Sequence, residues 1–144
     1  YKVEKIKTMV EILIDDNANQ PFDAYLFLNQ FSRFKKGEET ISEFLESDKF
    51  MIPIVQVSSG DFIMLNKNEL LYVKEKEVNV IQNQKNVKLH FKNQISLKVE
   101  LMNVHSGARG RVLDYLNNPL QFLQFIHSDS NIYINKNKIL KIQE

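Results

Sequence analysis

The sequence predicts an α+β fold, mostly β, arranged as two tandem β-β-α-β-β-β units. Three observations carry that expectation: a series of motifs that recurs in order, apolar residues at every second position, and two short stretches with helical spacing. Ile41-Ser42-Glu43-Phe44-Leu45, Phe50-Met51-Ile52-Pro53-Ile54 and Ile63-Met64-Leu65-Asn66-Lys67-Asn68 return as Val112-Leu113-Asp114-Tyr115-Leu116, Phe122-Leu123-Gln124-Phe125-Ile126 and Ile132-Tyr133-Ile134-Asn135-Lys136-Asn137. The offsets are 71 residues from Ile41 to Val112, 72 from Phe50 to Phe122 and 69 from Asn66 to Asn135. A fixed order at nearly fixed spacing marks an internal repeat. The units are expected at residues 1–77 and 78–144.

In the first unit Val10, Ile12 and Ile14 fall on one face of the stretch 9–14, the period-two pattern of a half-buried strand. The turn formers of 15–20 and Pro21 separate it from a second strand carrying Phe22, Ala24, Leu26 and Leu28. Lys35-Lys36-Gly37-Glu38-Glu39 reads as an exposed loop. Thr40 and Glu43 form a capping box for a helix over about 41–47, with Ile41, Phe44 and Leu45 facing inward. Phe50 to Val57 is apolar and strand-like, and Pro53 within it suggests an edge or a bulge. Strands over 62–65 and 70–73 flank the tight polar turn Asn66-Lys67-Asn68.

In the second unit Val87, Leu89 and Phe91 alternate, Lys92-Asn93-Gln94 turns, and Ile95, Leu97, Val99 and Leu101 alternate again. A loop at 106–110 leads to a helix over about 111–117, with Val112, Tyr115 and Leu116 inward, that stops before Pro119. Strands near 120–126, 131–134 and 138–142 complete the unit, and a linker runs from Glu75 to about Gln84. Five short strands with one apolar face each must curl or pack to bury it. Each unit is therefore expected as a small curled sheet, or an SH3-like or Sm-like partial barrel, with one short helix. Units this small are marginal alone, so the two should pack together.

Composition excludes several classes. With 43% hydrophobic and 26% charged residues, the chain is globular rather than disordered. A net charge of +1 provides no field to recruit nucleic acid or anionic membrane. The chain holds no cysteine, which removes disulfides, thiolate metal sites and cysteine nucleophiles, and favours a reducing, cytoplasmic location. No apolar run is long enough to span a bilayer. Because the chain starts at Tyr1 rather than Met, a preceding segment is expected.

The series Arg111-Val112-Leu113-Asp114-Tyr115-Leu116-Asn117, then Phe122-Leu123, then Ile134-Asn135-Lys136-Asn137-Lys138-Ile139 resembles an uncharacterised bacterial family of small β-rich domains. Most of residues 86–144 take part, and the first unit is similar more loosely, with Thr40 for the Arg and Glu43 for the Asp. The resemblance implies a β-rich fold and a bacterial origin. It implies no activity and no cofactor.

Glu43 and Asp114 recur at the same place and could serve as acid and base, but a carboxylate in a first helical turn is explained by the free amides there. His90, His105 and His127 lack metal-ligand spacing, and the adjacent His127-Ser128-Asp129 cannot form a relay. No phosphate loop, dinucleotide fingerprint or nucleophile elbow is present, so no catalytic residue, metal or cofactor is expected. Lys35, Lys36, Arg109 and Arg111 could give a modest basic rim for phosphate or RNA. Tyr25 and Phe27 lie on the strand face opposite Leu26 and Leu28, where the second unit holds Lys98 and Glu100; Phe31 and Phe34 extend that face. A strand apolar on both faces is covered on both. The expectation is a non-catalytic protein-interaction or scaffold module whose surface, Tyr25, Phe27, Phe31 and Phe34, meets another protein chain, a second copy, or the other unit. The alternative is a small-barrel RNA binder.

Overall fold

The alternation of apolar residues becomes strand faces in the computed structural model, which describes residues 5–16, 18–76, 86–101 and 109–144, and side chains in the last stretch from residue 113. Strands β1 (Lys5–Ile14) and β2 (Phe22–Asn29) pair antiparallel from Lys5 opposite Asn29 to Ile12 opposite Phe22. Val10, Ile12, Ala24, Leu26 and Leu28 fall on the inner face and are buried. Helix α1 (Ile41–Leu45) presses Ile41, Phe44 and Leu45 into the same core. Strands β3 (Met51–Gln56) and β4 (Phe62–Asn66) form a hairpin whose turn uses Gly60 at φ 72, a left-handed conformation that glycine adopts without strain. A one-turn 3-10 segment, Lys67–Glu69, then leads into β5 (Leu70–Glu75).

The second half repeats this order. Strands β6 (Asn86–Phe91) and β7 (Ser96–Glu100) form a hairpin, helix α2 (Arg109–Leu116) follows, and β8 (Phe122–His127), β9 (Ser130–Asn135) and β10 (Ile139–Gln143) complete it. Ser128 and Asp129, both with positive φ, make the two-residue turn of the β8–β9 hairpin. They are turn residues, which accounts for the adjacency of His127, Ser128 and Asp129 without chemistry.

The polar turn Asn-Lys-Asn has the same structural role in both halves. Asn66 Oδ1 accepts from the Asn68 amide at 3.0 Å, and Asn135 Oδ1 accepts from the Asn137 amide at 3.1 Å. The intervening lysine reaches back to the segment after the helix: Lys67 Nζ donates to the Ser47 carbonyl at 2.6 Å and Lys136 Nζ to the Asn118 carbonyl at 2.8 Å. Burial pushes the Lys67 ammonium below its ordinary pKa, against the pull of Glu46 and Asp48.

Two separate curled units, or partial barrels, are not what forms. The described strands make one open antiparallel sheet of ten strands in the order β10-β6-β7-β8-β9-β5-β1-β2-β3-β4, with only two short helices, so the fold is mostly β rather than α+β. The halves join edge to edge, where β5 pairs with β9 with Tyr72 opposite Ile134, Val73 opposite Tyr133 and Lys74 opposite Ile132. An unpaired edge leaves a row of backbone donors and acceptors to satisfy, and each half offers one to the other. The predicted linker begins at Glu75, which belongs to β5, while residues 77–85 and the loop residues 102–108 lie outside the described residues.

At this junction both faces are buried. Val73 and Tyr133 point into the first half's core, with Phe122 beside them; Leu71, Tyr72, Ile132 and Ile134 point into the second half's core. The two cores thus lie on opposite faces of one sheet. Polar groups close the seam. Buried Asn135 donates through Nδ2 to the carbonyls of Asn68 (3.2 Å) and Leu70 (3.0 Å). Glu46, just past α1, accepts the amides of Gln121 and Phe122, both at 2.9 Å. Lys138 pairs with Asp15 at 2.9 Å and Glu69 at 3.2 Å. Tyr133 donates to Glu75, and burial drives its phenol well above the ordinary range.

Asn135 and Asn66 cap the same turn, but only Asn135 also crosses the seam. Asn135→Ala should therefore cost about 3 kcal/mol, the loss of a cap plus buried carbonyls left unpaired, while Asn66→Ala should cost about 1 kcal/mol. Urea unfolding of the two variants measures this. Equal losses would deny the junction its role.

Candidate functional site

Pro53 shapes a groove in the first half. Strands β2 and β3 pair only through Ala24 with Gln56 and Tyr25 with Val55. Proline has no N–H to extend the ladder, and Pro53 lies in β3 two residues before the last paired position, Val55. It sits opposite Met64 of β4, inside the sheet rather than at its edge, so the predicted edge or bulge is replaced by an interrupted β2–β3 ladder. Where the two strands are unpaired, a groove of about 1000 Å³ opens. Phe27 and Asn29 of β2, Pro53, Phe62 of β4, Phe34, and α1 with the residues just after it line this groove, and Leu120 closes it from the second half.

The groove is rimmed by charge of both signs. Lys5, Arg33 and Lys49 stand against Glu39, Glu43, Glu46 and Asp48. Glu43 is the most organised of these. Its amide donates to Thr40 Oγ1 at 3.1 Å, as a helix cap requires. Its carboxylate accepts from the Ser32 hydroxyl at 2.5 Å and from the Thr40 hydroxyl at 3.2 Å, rather than reaching back to the Thr40 amide as the capping box predicts. The Ser32 hydrogen bond, above all, holds the Glu43 carboxyl below the ordinary range. Ser47 Oγ is buried in the groove wall and has no hydrogen-bond partner among the described residues.

Cross-strand pairs continue the groove into an apolar outer face. Met9 lies opposite Tyr25, Tyr25 opposite Val55 and Val55 opposite Phe62; Pro53 lies opposite Met64. Phe62, Met64 and Met9 are exposed, and Lys7 lies over the Tyr25 ring, 4.1 Å from its centre. On the second half the strand pairs on the outer face are Asn86 with Glu100, Lys88 with Lys98 and His90 with Ser96.

Of the residues the sequence singled out, Phe27 and Phe34 meet in the groove, Tyr25 lies next to it on the outer face, and Phe31 is exposed in the following loop. Lys35 and Lys36 are exposed in that loop; Arg109 and Arg111 belong to α2, and their side chains lie outside the described residues, as does His105. Asp114 is exposed, and because α2 begins at Arg109 it does not sit in the first turn as expected. His90 bonds Gln143 and Ser96, and His127 bonds Lys74, with burial and that lysine pushing its pKa down. Among the described residues no cluster of His, Asp and Glu could hold a metal ion, and no helix is long and apolar enough to cross a membrane.

Sequence reasoning missed Pro53, Phe62, Met64 and Leu120. The signal was available in Phe62-Ile63-Met64-Leu65, where residues of both parities are apolar and two faces must be served at once. No family model, curated protein or solved structure gives a significant match to the chain.

The Glu43 carboxyl should titrate below a free glutamate in a carbon-detected NMR titration, and Ser32→Ala should move it upward. Because its pKa is lowered by folding, the stability it lends to α1 is present above the ordinary glutamate range and lost as pH falls through the lowered value. An unchanged titration in Ser32→Ala would separate the two residues.

Proposed function

We propose that this chain is a non-catalytic protein-interaction or scaffold module that docks a partner chain along the groove and the apolar outer face of the first half. The carrying observation is the asymmetry of the two outer faces. Met9, Tyr25, Val55, Phe62 and Met64 occupy one, whereas Lys88, His90, Ser96, Lys98 and Glu100 occupy the other. Contiguous apolar surface on a folded chain marks something to be covered. The lining suits a peptide segment that presents aromatic or aliphatic anchors to Phe27, Phe34 and Phe62 and a polar group to Ser47. Four carboxylates against three cations argue for a protein occupant over RNA in this groove. The motif offsets, together with the shared strand order, support an origin by tandem duplication with repeats at 1–77 and 78–144; the family resemblance supports a bacterial source, and the lack of cysteine a cytoplasmic location.

A photoreactive phenylalanine analogue placed at position 34 should form an adduct with one defined partner in cells of the native host. Phe27→Ser with Phe62→Ser should weaken that capture by about tenfold or more, as loss of central anchors does. Adducts unaffected by those changes, or none at all, would remove the groove as a docking site.

A further inference from the structure

The sheet ends in two strands, β4 and β10, that are the counterparts of the two strands joined at its centre. Position for position, 69 residues apart, β4 corresponds to β9 and β10 to β5. The registers agree: Met64 faces Pro53 as Tyr133 faces Gln124, and Asn66 faces Met51 as Asn135 faces Phe122. The chain therefore carries one made junction and, at its two extremities, both halves of a second.

The exposure of the free edges follows that correspondence. Met64 is 50% exposed where Tyr133 is 4%, and Leu140 is 64% exposed where Leu71 is 1%. On the inner faces, Ile63, Leu65, Ile139 and Ile142 are only partly buried, whereas their counterparts Ile132, Ile134, Leu70 and Val73 are at 0%. The edge β4, Phe62-Ile63-Met64-Leu65-Asn66, carries no charge and no proline, and its five pairs to β3 run without a bulge. A flat apolar edge without these guards is one that a second strand covers.

We infer that the chain assembles head to tail, β4 of one copy pairing antiparallel with β10 of the next in the geometry by which β9 pairs with β5. The expected register sets Leu65 opposite Lys141, Met64 opposite Ile142 and Ile63 opposite Gln143 of the second copy, translated from the pairs at the internal junction. Asn66 takes the part of Asn135 and donates to the carbonyls of Asn137 and Ile139 of that copy, as Asn135 does to Asn68 and Leu70. Met64 and Met51 enter the neighbour's second core, and Leu140 enters the first core beside Ile63. Such an interface joins unlike surfaces, so it grows into a ring or a filament according to the rotation per copy. It takes Met64 from the outer face assigned above to a partner and leaves the groove, lined by Phe27, Phe34 and Phe62, to that partner.

Sedimentation velocity over a wide concentration range should show multiples of the 16.9 kDa chain. Met64→Lys blocks β4 and Leu140→Lys blocks β10; both side chains are exposed, and circular dichroism checks that each variant keeps its fold. Each variant alone should be monomeric. Their equimolar mixture should form a dimer and stop there, since only one intact β4 and one intact β10 remain. Phe34→Ser should assemble as the parent chain does. A parent chain that stays monomeric at every concentration overturns the inference. So does a mixture that stays monomeric, or a Leu140→Lys variant that still dimerises, because that result would mean β4 pairs with β4.

Discussion

The architecture depends on the pairing of β5 with β9. Each half on its own is a five-stranded sheet with one apolar face and two open edges, too small to bury much of its surface. Joining one edge of each satisfies backbone groups and also makes each half a wall of the other's core. Val73 and Tyr133 turn to one side, and Tyr72 and Ile134 to the other. The strands at the seam thereby become largely enclosed, and the polar groups there are answered in kind. Asn135 serves two carbonyls, Glu46 receives two amides, and Lys138 sits between two carboxylates that together outweigh the cost of its partial burial and hold its pKa up. A seam so furnished favours one register over its neighbours, since a slip by one residue would exchange the two faces.

The groove is a consequence of a second, opposite constraint. Where β5 and β9 close, β2 and β3 are prevented from closing along their whole length, because Pro53 contributes no donor. Helix α1, anchored by the Thr40 cap and by Ile41, Phe44 and Leu45 in the core, stands at the gap. Its Glu43 is held from two sides by Thr40 and Ser32, which ties the loop carrying Phe34 to the helix. The concavity is thus fixed by backbone chemistry and capping rather than left by loose packing.

The sequence made local structure legible because local rules decide it. Period-two alternation located β1, β2, β6 and β7, and spacing at i, i+3 and i+4 located the buried side of α1. The repeated Asn-Lys-Asn proved to be a capped 3-10 turn with a lysine tether, a role that its polar character alone does not reveal. The edge-to-edge joining was harder to see because strand pairing across 50 residues and more leaves no local mark. Yet Leu70-Leu71-Tyr72-Val73 and Ile132-Tyr133-Ile134 are unbroken apolar runs, which is how strands covered on both faces read. Tyr25 and Phe27 show the same two-sided apolar character, on an outer face that no described strand covers. The same physical rule applied to both places, and only in β5 and β9 does the chain itself supply the cover.

That contrast explains why the two halves differ where they do. Tyr133 and Phe122 lie where β9 meets the first core, and aromatic side chains there are buried by the rest of the chain. Met64 of β4 and Met51 of β3 occupy the corresponding places, and Phe62 extends them along the edge, yet nothing among the described strands lies beyond β4. A methionine fills an irregular or alternately occupied interface more readily than a rigid ring does. On β10, a lysine, Lys141, stands where β5 has the buried Tyr72, and a charge on an edge strand is a usual guard against indiscriminate pairing. One edge is therefore apolar and adaptable while the other carries a charge, so the two open edges of the described sheet differ in chemistry as well as in place.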